Sequence, residues 1–569
     1  MQHGFFECGI DGVTLQIPVP IDQIDFDAAA QRFAAIHSNR GVAKIGSGFA
    51  VPGAKLDDVD LVAGRADEIL PKLAGEPACL ELQFVWRPKP KKKRAVVDAG
   101  RSKQILVAGG TVLHPGIIAG SLWEVRFKSQ HCAAQRAAAT VAAMLDIRLI
   151  REKPDFVRER IASRGGDDAA RIDELLKVDA ERRKAETELQ QLQSERNRLS
   201  KEIGAKKSRG EATKDLEAEV RKIGDKIVDL DQRSASFDQQ QRNLLLEIPN
   251  LPHESVPLGK DPSANKVVRE WGTKPELGGK ALDHVALGEK LKILDLERAT
   301  KLSGSGFICF TGAGAKLERA LINFMIDLHT REHGYTELSP PFLVRKECME
   351  GTTQLPKLEE DVYRVEKSEL FLVPTGEVPV TNLHREEILP IVDLPKKFVA
   401  YTPCFRREAG SAGRETRGII RVHQFDKVEL VKVTTAEKSY AELETLLADA
   451  EKVLQVLELH YRVIELCTGD LGFGSAKTYD LEVWSPGSRD GGTYLEVSSC
   501  SNFEDFQARR MNLRYKGADG KNKFCHTLNG SGLALPRLFA ALIENFQQPD
   551  GSVRIPEKLQ PYFGATEIR

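Results

Sequence analysis

The sequence predicts an α+β protein in which a mostly antiparallel sheet carrying helices follows a long antiparallel two-helix arm. One observation is a pair of heptad seams of equal length between about Leu145 and Leu251. Another is a series of short strands, in hairpin rather than βαβ order, from about Val256 to Arg569. Four segments there are predicted to form strands or strand-and-turn, "FLVPTGEVPVTNLH", "FVAYTPCFRRE", "IIRVHQFDKVELVKV" and "TYDLEVW", and Gly314–Tyr335 is predicted to form an amphipathic helix. The first part of the chain has neither pattern. We therefore divide the chain into residues 1–143, 144–255 and 256–569.

The composition is that of an ordinary globular protein. The chain has 569 residues, of which 41% are hydrophobic and 29% charged, with a formal net charge of −1. This composition excludes a disordered or fibrous chain, and a net charge near zero leaves room for a local basic surface. The nine cysteines lack metal-site or disulfide-like spacing, which indicates free thiols in a reducing compartment. With no membrane-spanning run and no signal-peptide layout, we expect a cytoplasmic protein.

Residues 1–143 form an N-terminal extension of uncertain fold. Short apolar runs alternate with glycine and proline breaks, and we find no chemical motif there. The basic run Arg87–Arg94 is open to two interpretations, a localisation or nucleic-acid patch and a solvated linker. The linker is favoured, because prolines keep the run extended and no aromatic residues interleave with it.

The two seams predict an arm of two helices. Each has nine positions spaced alternately three and four residues apart, and two arginines, Arg182 and Arg196, interrupt the first. At 1.5 Å per residue, helices of ~30 residues make an arm about 45 Å long. The apolar seam positions are Leu175, Val178, Ala185, Leu189, Leu192, Leu199 and Ile203, then Leu216, Val220, Ile223, Ile227, Leu230, Phe237 and Leu244.

The segment Gly204–Lys214 is predicted to break the arm at its tip, because it holds two glycines and a cluster of charges. The surrounding basic residues indicate either a solvated surface or an arm that follows nucleic-acid phosphates. A dimerising coiled coil is less favoured, since the break lies at the centre of the pattern. The basic residues that we expect to contact nucleic acid are Arg196, Arg198, Lys201, Lys206, Lys207 and Arg209.

The most informative stretch is "FRREAGSAGRETRGIIRVHQFDKVEL", Phe405–Leu430, which has five arginines between strand-like outer parts. A period of two places Arg406 and Glu408 on one face of the first strand. On the second strand the same period gives one face to Arg421, His423, Phe425, Lys427 and Glu429.

Such a face suits a nucleoside triphosphate and an amino-bearing second substrate. Guanidinium groups bind phosphate oxygens, an aromatic ring stacks on a base, and carboxylates accept an amine or order a metal. The sequence lacks a glycine-rich phosphate loop, so side chains must hold the phosphates. A surface hairpin with salt bridges is the alternative interpretation.

Three segments in order resemble the motifs of class II aminoacyl-tRNA synthetases. His333–Val344 resembles motif 1, the arginine-rich stretch resembles motif 2, and Leu528–Phe546 resembles motif 3. The Thr375–Glu377 element, the segment Tyr494–Arg510 and the arm itself narrow the resemblance to the seryl-tRNA synthetase family of bacterial type. It covers Met144 to about Gly564 and implies a class II antiparallel sheet flanked by helices.

The resemblance implies roles for particular residues. Arg406, Glu408 and Arg537 would be catalytic, with Arg406 on the ATP α-phosphate and the acyl carbonyl and Arg537 on the γ-phosphate. Glu496 and Ser499 would bind Mg²⁺. The serine pocket would comprise Thr375, Gly376, Glu377, Glu429 and Ser531. The ATP site would comprise Arg406, Arg407, Glu408, Val422, Phe425, Glu496, Val497, Ser498, Ser499 and Arg537.

The implied activity is ATP-dependent attachment of L-serine to tRNA(Ser), and also tRNA(Sec), through a seryl-adenylate. No protein nucleophile or general base is needed, because arginines and Mg²⁺ stabilise the developing charge. The resemblance further implies a homodimer that pairs through motif 1, and an arm that recognises tRNA by its shape. Two alternatives stay open: a paralogue that activates an amino acid for another acceptor, such as a carrier protein, and a binding protein that has lost catalysis.

Residues 1–143 have no counterpart in this resemblance. The favoured interpretation is a wrongly chosen start codon upstream of Met144, where a complete synthetase would begin. An appended domain that binds partners or RNA and a processed leader are the alternatives. If the start codon is wrong, these residues should not form a compact unit docked on the enzyme.

Overall fold

The structure is a computed structural model that describes residues 145–277, 280–409, 418–488 and 491–569, and the backbone of four earlier strands. Contacts divide the chain into two units, Met1–Thr140 and Val141–Arg569. The four strands form two antiparallel pairs, β1 with β2 and β3 with β4. They are β1 His3–Ile10, β2 Val13–Pro20, β3 Glu81–Pro88 and β4 Ser121–Lys128.

Most of the predictions for residues 1–143 lie outside the described residues. This holds for six of the eight residues of the basic run Arg87–Arg94 and for the interpretations of the extension as a misassigned start, a domain or a leader. These interpretations stay predictions, as does the domain boundary between residues 255 and 256.

The second unit begins with the predicted arm. Its long helices α3 and α4 pack along both seams, and every seam position of each helix is buried or half-buried. The cross-helix ion pairs Arg171–Glu247, Arg182–Asp238 and Lys207–Glu217 show antiparallel packing, because one residue number rises as the other falls. The helices are α1 Ile147–Glu152, α2 Pro154–Ala162, α3 Ala170–Ser208 and α4 Lys214–Glu247.

The tip of the arm is shorter than predicted. Helix α3 continues through Gly204 to Ser208, so the turn comprises only residues 209–213, with Gly210 at a φ of +74°. A glycine inside a helix weakens it by only about 1 kcal/mol, whereas the left-handed turn requires a glycine-like residue. At the other end, an apolar cluster that includes Ile172, Leu245 and Phe506 joins the root of the arm to the rest of the unit.

An eight-stranded sheet forms the centre of the unit, in the order β5-β12-β13-β14-β17-β11-β10-β6. Seven adjacent strand pairs make up this sheet, and only β10 and β6 pair in parallel, so the prediction of a mostly antiparallel sheet is confirmed. The strands are β5 Lys266–Trp271, β6 Thr336–Leu338, β10 Lys396–Phe405, β11 Gln424–Thr434, β12 Tyr461–Glu465, β13 Lys477–Ser485, β14 Thr493–Asn502 and β17 His526–Ala534.

Helices cover the sheet, and their apolar faces form the largest core with it. The amphipathic helix predicted for Gly314–Tyr335 is α7, which packs against β10 and β11. The remaining helices are α5 His284–Lys290, α6 Leu296–Ser303, α7 Ala313–Arg331, α8 Lys346–Gly351, α9 Glu377–Thr381, α10 Ser439–Val456, α11 Phe506–Met511, α12 Leu535–Asn545 and α13 Gln560–Phe563.

One segment differs from the predicted strand-and-turn. The stretch "FLVPTGEVPVTNLH" starts in a three-residue strand and then forms helix α9, because its Thr375 and Gly376 turn the chain toward the sheet. Short strands outside the main sheet are β7 Leu343–Arg345, β8 Leu370–Leu372, β9 Ile388–Pro390, β15 Arg514–Lys516, β16 Asn522–Phe524, β18 Val553–Arg554 and β19 Glu567–Ile568. Among the described residues, no helix is both long and apolar enough to cross a membrane.

Candidate active site

The site is built on strand β11, whose alternate residues Phe425, Lys427 and Glu429 share one face. Glu429 lies opposite Ser531 of β17, and an irregularity in that pairing leaves Gly532 as the extra residue. Lys427 lies opposite Thr402 of β10. A polar floor therefore crosses three strands, where a core-facing strand would be apolar.

The two strands are shorter than the sequence pattern predicted. Strand β10 ends at Phe405 and β11 begins at Gln424, so neither Arg406 and Glu408 nor Arg421 and His423 lie on a strand. Glu408 has a φ of +51°, which turns the chain away from the sheet. The side chains still converge, because Arg421 forms an ion pair with Glu408 at 3.3 Å and the ring Nδ1 of His423 lies 3.0 Å from the Arg406 carbonyl oxygen.

A buried ion pair occupies the middle of the floor. Lys427 Nζ lies 2.5 Å from Glu429 Oε2 and donates to Thr375 Oγ1 at 2.6 Å. The amide of Asn529 donates to Glu429 Oε1 at 2.9 Å. These contacts hold the Glu429 side chain in place, although its Oε2 has no hydrogen-bond partner among the described residues.

The Thr375–Glu377 element lies directly against this floor. A Cβ atom added to Gly376 would lie 2.9 Å from the Glu429 Cβ and 3.1 Å from the Thr402 hydroxyl oxygen. Only glycine permits such a close approach of the backbone to the sheet. The five residues of the predicted serine pocket, from Thr375 to Ser531, are thus brought together around Lys427.

Glu377 is the second buried carboxyl group of the pocket. The amide of Gln507 donates to Glu377 Oε1 at 2.6 Å, and Gln507 in turn accepts a hydrogen bond from the Thr527 hydroxyl at 2.8 Å. Burial, and then the charge of Glu429, raise the pKa of Glu377 to about 7. A cationic group that entered the pocket would favour the ionised form.

Three residues that line the pocket were assigned no role in the site from the sequence: Lys427, Asn529 and Gln507. Lys427 was placed on the correct face, and its position two residues before Glu429 was the available signal. Asn529 and Gln507 come from β17 and α11, and no spacing within the sequence indicates that they meet Glu429 and Glu377.

Arg406 lies beside the pocket, and its guanidinium is 5.1 Å from the ring centre of Phe425. Its Nε donates to the Pro374 carbonyl at 3.2 Å, and the Arg406 charge favours ionised Glu377. Val422 is buried. Arg406 therefore lies between the pocket and Phe425, the ring on which a nucleotide base is predicted to stack.

Arg537 links the third motif-like segment to the arginine-rich stretch and to strand β14. It comes from the first turn of α12, and its Nε donates to the Ile420 carbonyl at 3.3 Å. One terminal nitrogen donates to the Glu496 carbonyl at 2.8 Å and lies 3.6 Å from the Glu496 carboxylate. Its guanidinium is thus positioned between the arginine-rich stretch and the acidic end of β14.

A β-bulge in β14 sets the side chains of Glu496 and Ser499 on the same face of the sheet. Opposite β13, the register shifts so that Asp480 faces Ser499 while Glu482 faces Glu496, and Val497 is the extra residue. Without the bulge, residues three apart on a strand would point to opposite faces. Burial raises the pKa of Asp480 well above its usual range, with Glu496 and Glu482 adding to the effect and a hydrogen bond from Ser499 opposing it.

These oxygen donors suit a magnesium ion. One oxygen of Asp480 is buried without a hydrogen-bond partner among the described residues, and the neighbouring carboxylates repel each other. Among the same residues no group of three His, Cys, Asp or Glu side chains is arranged for a metal. Magnesium does not require one, because it commonly keeps waters and binds one or two carboxylates together with phosphates.

Some predicted residues lie elsewhere. The Arg407 side chain is exposed, and its backbone N–H donates to the Asp361 carbonyl at 2.8 Å. Val497 and Ser498 are buried in the sheet, where the Ser498 hydroxyl donates to the Ser531 carbonyl at 2.7 Å. The six arm residues from Arg196 to Arg209 lie at the tip of the arm, exposed or half-buried.

Two family models match the chain. The seryl-tRNA synthetase N-terminal domain matches residues 144–252, and the tRNA synthetase class II core domain (G, H, P, S and T) matches residues 360–546. The serine–tRNA ligase of Akkermansia muciniphila is 60% identical over 426 residues, which cover 75% of this chain and 99% of the relative.

Solved structures agree with these matches. Seryl-tRNA synthetase from Pyrococcus horikoshii, complexed with ATP, is 40% identical with a TM-score of 0.70, covering 74% of this chain and 99% of that one. The cytoplasmic serine–tRNA ligase of Naegleria fowleri, in complex with AMP, is 30% identical with a TM-score of 0.68, covering 75% of this chain and 98% of that one.

The buried ion pair gives a first prediction, Lys427→Met. This change leaves Glu429 buried without its cation, which destabilises the fold by about 3–5 kcal/mol. Because the carboxylate also loses the ammonium that positions it, the KM for the expected substrate, L-serine, should rise on the order of 100-fold, which corresponds to about 2.7 kcal/mol of binding free energy. Lys432→Met is the matched control, because Lys432 is buried on the same strand but pairs with Glu442 and Asp449 on the opposite face. Serine-dependent ATP–pyrophosphate exchange measures both, and equal KM values in the two variants would contradict the assignment.

The raised pKa of Glu377 gives a second prediction. Above pH 7 the carboxylate is ionised and attracts the substrate ammonium, and below pH 7 it becomes protonated. Serine affinity measured by calorimetry should therefore be roughly tenfold weaker at pH 6 than at pH 8. Glu377→Gln should flatten this dependence. A wild-type profile that is flat over this range would exclude Glu377 as the titrating group.

Proposed function

Because the chain belongs to the seryl-tRNA synthetase family, we propose that it attaches L-serine to tRNA(Ser) through a seryl-adenylate. Family membership makes the chain an ATP-dependent aminoacyl-tRNA ligase. The finer proposal is carried by one observation: two buried carboxyl groups, Glu377 and Glu429, lie within a hydroxyl- and amide-lined pocket next to Arg406.

The pocket suits a small substrate with an ammonium and a hydroxyl group. Lys427 and Asn529 hold the Glu429 side chain in position, and a cation that enters the pocket favours the ionised form of Glu377. Thr375 and Ser531 supply hydroxyl groups at the same place. Buried polar groups that a substrate hydroxyl would satisfy remain unpaired with alanine, so the pocket rejects the analogue that lacks the hydroxyl.

The chemistry of the first step needs positioned charge rather than a base. A serine carboxylate oxygen attacks the α-phosphorus of ATP, a new P–O bond forms, and the bond to pyrophosphate breaks. Arg406 would bind both the α-phosphate and the acyl carbonyl, and its position between Glu377 and Phe425 supports this role. Arg537 would stabilise charge on the departing phosphates. The tRNA 3′-terminal hydroxyl then attacks the acyl carbonyl, and AMP leaves.

Mg²⁺ would be held by Glu496 and Ser499, with Asp480 beside them on the same face. When bound, it would neutralise phosphate charge that builds up as the α-phosphate reacts. Two features of the chain would support this ion. The bulge at Val497 keeps the Glu496 and Ser499 side chains on one face, and Arg537 holds Glu496 through its backbone carbonyl.

The arm and the motif 1 segment support the remaining proposals. The basic tip of the arm would bind the phosphates of tRNA(Ser), and of tRNA(Sec), by shape rather than by sequence. A homodimer would form through the motif 1 segment, where Phe342 and Leu343 are 37% and 42% exposed. A cytoplasmic location stays a prediction of the sequence.

The proposal can be separated from its alternatives by measuring attachment of labelled L-serine to total tRNA with ATP and Mg²⁺. We expect charging by the full-length chain and by the chain that starts at Met144, which would make residues 1–143 dispensable. Arg406→Lys should lose at least 100-fold in rate, because one ammonium cannot replace a bidentate guanidinium, whereas Arg364→Lys, an exposed surface change, should not. Serine-dependent pyrophosphate exchange without tRNA charging would favour the paralogue with another acceptor.

The arm gives a prediction of its own. Replacing the exposed Arg198, Lys201 and Arg209 by glutamine should raise the KM for tRNA and lower the salt slope of binding by about 1 for each phosphate that is no longer neutralised. Pyrophosphate exchange without tRNA should not change. Lys184→Gln, in the root half of α3, tests whether the effect belongs to the tip, and an equal rise in the KM for tRNA in this variant would contradict a tip-specific interaction.

A further inference from the structure

Helix α11, Phe506–Met511, lies between the root of the arm and the pocket. Phe506 is fully buried in the apolar cluster that joins the arm to the rest of the unit. The next residue, Gln507, is bonded to Glu377. Arg509 forms an ion pair at 3.2 Å with Asp146, the residue that caps α1. A helix of six residues thus contacts both regions at once.

Arg510 holds this helix against the arm. One terminal nitrogen donates to the Leu246 carbonyl in the last turn of α4 at 3.0 Å, and the other donates to the Glu350 carbonyl of α8 at 3.1 Å. Its guanidinium also lies 4.8 Å from the ring centre of Phe506 and 5.6 Å from that of Phe473. Three helices, α4, α8 and α11, are therefore joined by one side chain.

Packing alone does not account for an arginine at this place. Its Nε is buried without a hydrogen-bond partner among the described residues, and burial lowers the pKa of Arg510 to about 9. An apolar side chain could fill the space between the two rings without this desolvation cost. The two directed hydrogen bonds to Leu246 and Glu350 are what an apolar residue would lack.

The pocket end of α11 is equally constrained. Gln507 is 1% exposed, and both ends of its amide are used, one on Glu377 and the other on Thr527. A hydrogen bond to a charged carboxyl group is stronger than one between neutral groups. A small rotation of α11 would lengthen this bond and free Glu377 to move.

We infer that Arg510 is a positioning residue that fixes Gln507 against Glu377 and so couples the root of the arm to the serine pocket. The inference rests on the proposed function, since serine is the substrate of that pocket. Arg510 contacts no substrate and acts through α11. A change in the position of the end of α4, where the tRNA-binding arm is attached, would reach Glu377 by this route.

The test measures serine KM, ATP KM and melting temperature in full-length protein, using pyrophosphate exchange without tRNA. Arg510→Lys, which can hold only one of the two carbonyls well, should raise the serine KM about tenfold and leave the ATP KM unchanged. Gln507→Ala should raise it at least as much. In the Gln507→Ala background, Arg510→Lys should add nothing further, because its effect passes through Gln507.

Arg164→Lys is the matched control. Arg164 is another arginine at the arm root, and burial lowers its pKa to about 10. Its guanidinium donates to four carbonyls, those of Asn250 at 2.7 Å, Leu471 at 3.1 Å, Gly472 at 3.2 Å and Ser475 at 2.5 Å. It has no bond to α11 among the described contacts, so its variant should have a lower melting temperature without a change in serine KM.

Two results would overturn the inference. One is an unchanged serine KM in Arg510→Lys together with a lower melting temperature, which would leave Arg510 a purely structural role. The other is a full additional rise in the double variant. Absence of serine-dependent exchange in the wild-type protein would instead overturn the proposed function, and this inference with it.

Discussion

The buried ion pair between Lys427 and Glu429 is the contact on which the architecture of the site depends. Two charges in the middle of a sheet are tolerated when they pair with each other and further hydrogen bonds hold them. Thr375 supplies such a bond from the helix α9 side and Asn529 from β17. Elements distant in sequence are therefore held around one point of the sheet, and Gly376 is required because the backbone must approach Glu429 closely.

From this ion pair, polar contacts extend through the unit in two directions. Toward the nucleotide side, Arg406 follows directly from the end of β10 and contacts both Phe425 and the backbone of Pro374. Toward the arm, Glu377 is held by Gln507, whose helix is fixed to α4 by Arg510. The polar groups of this unit thus form a connected series from the arm root to the sheet, whereas the apolar core lies mainly between the sheet and its covering helices.

Sequence patterns predicted the elements correctly where a single hydrophobic periodicity determines the structure. The arm seams were correct at every position, since an isolated helix pair is stabilised by one apolar stripe per helix. Strands β10, β11 and β13 were found for a similar reason. Periodicity failed at Arg406, Glu408, Arg421 and His423, because the strands end earlier and a positive φ at Glu408 redirects the chain.

The sequence by itself determined the α+β class, the antiparallel two-helix arm with its two apolar seams, the family resemblance and most of the polar residues that line the pocket. Tertiary structure alone decided which of these side chains meet. The extra residues Val497 and Gly532 shift two strand registers by one position and set Glu496 beside Ser499 and Glu429 beside Ser531. Gln507 and Asn529 enter the pocket from elements that no local pattern connects to it. Local propensity fixes which face a residue takes within its own element, whereas contacts between elements depend on pairing register and packing, which involve residues far apart in the chain.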